Sequence, residues 1–135
     1  MSDAVPPRLF LLAHEPLAAA LHEVARHAFP DCAQALEWLD IGPQTSLEAA
    51  RDALRERLDA QAPRPTLVLV DVAGATPANA LQALLAERPW LKAVAGLNVA
   101  MLWRVLCYRE ENLALLAERA LAGGQRAITE LSAPG

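Results

Sequence analysis

Unbroken apolar runs alternate along the chain with segments whose apolar residues recur every three or four positions. Leu67-Val68-Leu69-Val70 has no polar interruption, which suits a strand buried on both faces of a parallel sheet. Arg8-Leu9-Phe10-Leu11-Leu12-Ala13 has the same character and runs straight into His14-Glu15-Pro16. Ala35 to Ile41 instead sets Leu36, Trp38 and Asp40 against Glu37, Leu39 and Ile41, predicting a less buried strand that Gly42-Pro43 ends. Trp90 to Leu97, interrupted late by Gly96, predicts a fourth strand, and Ala127 to Leu131 a short last one.

Between the strands the period is helical. Pro16 opens a helix from Leu17 to about Ala28, with Leu17, Leu21, Val24 and Ala28 on one face, and Pro30 stops it. Thr45-Ser46-Leu47-Glu48 places a glutamate three residues after a threonine, a capping-box start for a helix to about Ala60 that buries Ala50, Leu54 and Leu58. Pro63 and Pro65 lead into the third strand, after which Thr76 caps and Pro77 opens a helix to about Glu87 carrying Leu81, Leu84 and Leu85. Asn98 starts the almost wholly apolar Val99 to Leu106, expected to pack on most sides. Asn112 or a neighbour starts a final helix that Gly123-Gly124 is expected to end. The order β-α-β-α-β-α-β-α-α-β predicts an open, doubly wound α/β fold with a mostly parallel five-stranded sheet and helices on both faces.

Three of these strands end in polar groups: His14, Asp71 and Asn98. If the first and third strands are neighbours, with the second on the far side of the first, the strand order reverses between His14 and Asp71. Ligands of open α/β sheets bind in that kind of crevice. Just beyond Asp71, Gly74 permits a turn and the following helix start attracts anions, so an anionic group is the first expectation for Asp71 and Thr76. A turn-forming or capping role explains Asp71 equally well on this stretch alone. Asn98 reads more simply as a helix cap than as a ligand.

A carboxylate beside a histidine accepts one ring N–H, fixes the tautomer and leaves the other nitrogen as nucleophile or base. A serine-hydrolase triad would need a nucleophile elbow, and no GxSxG is present. A metal site would need a third ligand, but His22 and His27 fall on different faces of the first helix and read as surface residues. A Walker A motif is absent as well. Phosphorylation of the imidazole, with the Gly74-Ala75-Thr76 segment receiving the phosphoryl oxygens, is the use that remains.

Composition narrows the field further. The 135 residues suit one domain, 1–135, with a core that needs no staples. The apolar share of 54% and mean hydropathy of +0.19 owe much to alanine, and the apolar runs are short. Neither a signal peptide of normal build nor a membrane span is expected at the N-terminus, and the chain reads as cytoplasmic. Cys32 and Cys107 form neither a CxxC pair nor a metal spacing, so reduced, partly buried thiols are expected, with no disulfide, metal or other cofactor. A net charge of −4, with acids and bases intermixed, argues against a nucleic-acid surface and permits docking to a basic partner.

The strand ending in His14, the run Leu67 to Ala80 and the run Val94-Ala95-Gly96-Leu97-Asn98-Val99-Ala100-Met101-Leu102 together resemble the mannose-type IIA component of the bacterial phosphoenolpyruvate-dependent sugar phosphotransferase system. The resemblance spans about Leu9 to Leu131. It implies that His14 accepts a phosphoryl group on Nε2 from the phosphocarrier HPr and passes it to a separate IIB partner. It also implies that Asp71 holds Nδ1, that Thr76 lies near the phosphoryl group beside Gly74 and Ala75, and that the protein is a homodimer. In such a dimer the last strand is antiparallel and exchanged between subunits. Glu15 stands where the family has glycine, Ala75 where it has a second glycine and Ala100 where proline is common. From another class, the competing reading is a non-catalytic flavodoxin-like interaction module whose crevice has lost transfer activity. A receiver-like domain fits less well, because the first strand ends in histidine rather than in an acidic cluster.

Overall fold

In a computed structural model describing residues 5–135, the chain alternates strands and helices in the order β1 (Arg8–His14), α1 (Leu17–Ala28), α2 (Pro30–Ala33), β2 (Leu36–Ile41), α3 (Leu47–Leu58), β3 (Thr66–Val70), α4 (Thr76–Leu85), β4 (Leu91–Ala95), α5 (Val99–Cys107) and α6 (Leu113–Arg126). The first four residues of the proline-containing leader lie outside the described residues. All strand pairs are parallel, and the sheet order is β2-β1-β3-β4. The two crossovers from β1 and β2 therefore leave in opposite directions, and the order reverses between β1 and β3.

The side-chain alternation of the central strands divides the core in two. Leu9, Leu11, Ala13, Leu67 and Leu69 face α1, α5 and α6, meeting Leu21, Leu102, Val105 and Leu116. Phe10, Leu12, Val68 and Val70 face α3 and α4, meeting Leu54, Leu58, Leu81 and Leu84. Burial on both faces explains why β1 and β3 read as continuous apolar runs, whereas the edge strand β2 alternates. Arg8, 3% exposed, is the charged exception in β1: its guanidinium forks onto Glu37 at 2.8 Å and donates to the Leu58 carbonyl oxygen at 2.9 Å. It lies at the end of the sheet opposite His14, where the pair satisfies an otherwise costly buried charge.

Several sequence expectations shift. The buried stripe of α1 is Ala18, Leu21 and Ala25, while Leu17 and Val24 are exposed. The small residues take the sheet-facing positions, and only Leu21 is common to both faces. Ser46 caps α3 by accepting the Ala49 N–H at 3.0 Å, so the cap is one residue later than the Thr45 box. Gly123-Gly124 does not end α6, which continues to Arg126. Those glycines instead let α6 lie against α5: an added Cβ at Gly123 would fall 2.7 Å from Arg104 Cβ. Ala127 to Leu131 is not a fifth strand of this sheet; it leaves α6 as exposed chain, with Ile128 and Leu131 81% and 88% exposed. A lone strand with no paired edge has no hydrogen-bond ladder to hold it.

Candidate functional site

His14 is the last residue of β1, and Asp71 directly follows β3, so adjacent parallel strands deliver both to the same end of the sheet. The Asp71 N–H donates to the Leu12 carbonyl oxygen at 3.2 Å, which continues the β1–β3 ladder one residue past the strand. Asp71 Oδ2 accepts the backbone N–H of His14 at 3.0 Å and lies 2.8 Å from His14 Nδ1. Its Oδ1 accepts the Val72 N–H at 2.9 Å. The Asp71 side chain is 10% exposed and that of His14 48%, so the carboxylate is enclosed while the ring reaches solvent.

Burial pushes the Asp71 carboxyl up, but the His14 backbone N–H, the His14 ring and the Val72 N–H outweigh it. The carboxyl is held below its usual value of 3.8. It is thus a carboxylate at neutral pH. With Oδ2 on Nδ1, the proton stays on that nitrogen and the lone pair of the neutral ring is on Nε2, which has no hydrogen-bond partner among the described residues.

Beyond Asp71 the chain turns at Gly74, whose φ of +84° is the left-handed conformation that glycine tolerates. Ala75 then occupies the N-cap of α4 in extended conformation, so Thr76 is the first helical residue and not the cap. Among the described residues no side chain caps α4, and Pro77 has no N–H to donate. By contrast Ser46, Asn98 and Asn112 cap α3, α5 and α6 with side-chain oxygens. Asn98 is fully engaged, accepting the Met101 N–H at 2.8 Å and donating to the Gly124 carbonyl oxygen at 3.3 Å. Gly74, Ala75 and Thr76 thus follow Asp71 as a turn into an uncapped helix start.

Glu15 is exposed, and its carboxylate Oε1 passes over Gly42 beside Thr45, on the β2 flank of β1. Asp71 lies on the β3 flank. His22 contacts the Ala33 carbonyl oxygen and His27 pairs with Glu23, so neither belongs to the site. Sequence reasoning missed Asp40 of β2, which accepts the N–H groups of Ala18 and Ala19 at 2.7 and 3.2 Å and so caps α1 from a neighbouring strand. Pro16, the local N-cap, offers no side-chain bond. That vacancy is the only local signal; the partners lie 21 and 22 positions apart. Among the described residues no helix is long and apolar enough to cross a membrane.

The family model described as PTS system fructose IIA component matches residues 8–120. Among solved structures, the mannose/sorbose specific IIA subunit of the phosphotransferase system from Enterococcus faecalis superimposes with a TM-score of 0.90 at 29% identity, covering 97% of this chain and 98% of that one. The phosphotransferase system component EIIA from Streptococcus agalactiae gives 0.80 at 22% identity, covering 91% and 95%. A sigma-54 interaction domain protein from Enterococcus faecalis, 12% identical, shares the fold with a TM-score of 0.78 over 92% and 94% of the two chains. No curated protein matches the chain. With the family match running from the start of β1 into α6, the chain belongs to the mannose-type family of phosphotransferase-system IIA components.

Proposed function

We propose that this protein is a cytoplasmic phosphoryl carrier in which His14 accepts a phosphoryl group on Nε2 from phosphorylated HPr and delivers it to a IIB partner or holds it as a regulatory signal. The observation that carries this reading is the 2.8 Å contact between Asp71 Oδ2 and His14 Nδ1 beneath a half-exposed ring. In the transfer, Nε2 attacks the phosphorus of the donor's phosphohistidine. The new P–N bond forms as the donor's P–N bond breaks, and the Nδ1 proton stays in place. The His14 ring becomes cationic as the bond forms, and the enclosed Asp71 carboxylate offsets that charge without reorganising. The reverse sequence releases the group to the next acceptor.

The amides of the Gly74-Ala75-Thr76 segment, the Thr76 hydroxyl and the uncapped start of α4 receive the phosphoryl oxygens. No cofactor takes part in this scheme. The unit acting is the domain 1–135 as a homodimer, with Ala127 to Leu131 of each chain laid antiparallel along the partner's sheet. Two features favour that arrangement: the outer edge of β4 has no strand neighbour among the described residues, and the apolar Ile128 and Leu131 stand in solvent.

Incubation with phosphoenolpyruvate, enzyme I and HPr, read by intact-protein mass, tests the reading. One acid-labile phosphoryl group on wild type and none on His14→Ala is the expected result. An unmodified wild type instead favours the non-catalytic interaction module.

A further inference from the structure

We infer that Asp40 is a positioning residue for His14, acting through the first turn of α1; the inference rests on the reading of His14 as the phosphoryl acceptor. The segment that follows His14 has three ties to β2. The Glu15 N–H donates to the Ile41 carbonyl oxygen at 3.0 Å, and the Ala18 and Ala19 N–H groups donate to the two carboxylate oxygens of Asp40. The α1 N–H of Ala20 is already used by the Pro16 carbonyl oxygen at 3.0 Å, so Asp40 takes two of the three first-turn amides that the helix leaves unpaired. Its charge also complements the positive end of the helix.

The geometry makes this more than a helix cap. Asp40 pairs in register with Ala13, and Ile41 with His14, so the β2 anchor sits directly beside the strand end that carries the imidazole. Only Glu15 and Pro16 separate His14 from α1. His14 is therefore held between two carboxylates: Asp71 grips the ring and the amide from the β3 side, and Asp40 fixes the outgoing chain from the β2 side. Releasing the Asp40 bonds frees the turn and lets the ring shift relative to an incoming phosphorus. Misplacement of a reacting group by an ångström costs up to about a hundred-fold in rate. Asp40 does not touch the reacting atoms.

The test compares Asp40→Asn and Asp40→Ala with Ser46→Ala, which removes a helix cap on the opposite face of the sheet. Phosphoryl acceptance from phospho-HPr is resolved into kcat and KM, and the His14 ring is followed by proton and nitrogen NMR. Asp40→Asn, with one acceptor oxygen left, is expected to lose about three- to ten-fold in kcat, and Asp40→Ala about ten- to a hundred-fold, with KM within about two-fold. Both should move the His14 Nδ1–H resonance, whereas Ser46→Ala should lower Tm while leaving kcat and that resonance unchanged. If Asp40→Ala does not fold, Asp40→Asn decides alone. A kcat for Asp40→Asn equal to that of Ser46→Ala overturns the inference. If wild type takes up no phosphoryl group, the carrier reading has failed, and the resonance alone decides the positioning role: unmoved in Asp40→Asn, it overturns that too.

Discussion

One oxygen of Asp71 makes both contacts to His14: Oδ2 accepts the histidine's backbone N–H at 3.0 Å and lies 2.8 Å from its Nδ1. The shared oxygen ties the ring's orientation to the main chain at the end of β1, so the imidazole cannot turn without losing a bond.

Asp71→Asn separates the two parts of that role. The amide oxygen can still accept from the backbone or the ring, but it carries no charge to offset the imidazolium that forms during transfer. The rate of phosphoryl acceptance should fall by about ten- to a thousand-fold, less completely than in His14→Ala. Stopped-flow or quenched-flow transfer from phospho-HPr measures it, and a rate equal to wild type removes Asp71 from the mechanism.

The same substitution has a pH signature. Because the folded Asp71 carboxyl lies below its usual 3.8, the unfolded chain binds the proton more readily than the folded one in the interval between the two values. Asp71 therefore contributes stability above the unfolded value, and that contribution is lost as pH falls through the folded value. From neutral pH to about pH 3, wild type should lose more unfolding free energy than Asp71→Asn. Denaturant titrations at each pH, with parallel losses in the two proteins, would contradict this.

Gly123→Ala tests the packing of α6 on α5. Alanine gains about 1 kcal/mol of helix propensity over glycine. Its Cβ, however, would lie 2.7 and 2.9 Å from Cβ and Cγ of Arg104, atoms too near the backbone to swing aside. Overpacking of this kind costs about 1–3 kcal/mol, so net destabilisation is expected by equilibrium unfolding. Gly124→Ala, whose nearest neighbour is the terminal methyl Met101 Cε at 2.8 Å, at the far end of an unbranched side chain, should cost less. Equal or stabilising effects at both positions would show that the helices can part freely.

A chain ending at Arg126 keeps all of α6 but lacks the exposed Ile128 and Leu131. Sedimentation should give a dimer for the full chain and a monomer or aggregate for the shortened one. A shortened chain that remains a dimer of unchanged Tm would sink the strand exchange.

Strands β1 and β3 and the switch point were legible because burial on both faces leaves uninterrupted apolar runs, as in Leu67 to Val70, and because strand-end residues stand at visible composition breaks, whereas the expected fifth strand, Ala127 to Leu131, is exposed chain. The pairing of His14 with Asp71 followed from sheet order, and the left-handed turn at Gly74 from its residue type. Position along a helix was less legible. Gly123-Gly124 suits a helix end by local conformation, yet here close approach to Arg104 and Met101 uses the missing side chains. Thr76 has the chemistry of a cap, but the turn at Gly74 puts Ala75 in that place. The α1 cap was invisible to local pattern because Asp40 reaches it through the sheet pairing.

The phosphorylated nitrogen is the most direct measurement of the central claim. Protein labelled with 15N in its histidines, phosphorylated by phospho-HPr, should show phosphorus coupling to Nε2 of His14 alone, with Nδ1 still protonated against Asp71. Coupling at Nδ1, a phosphoryl group on His22 or His27, or no phosphohistidine at all would contradict it.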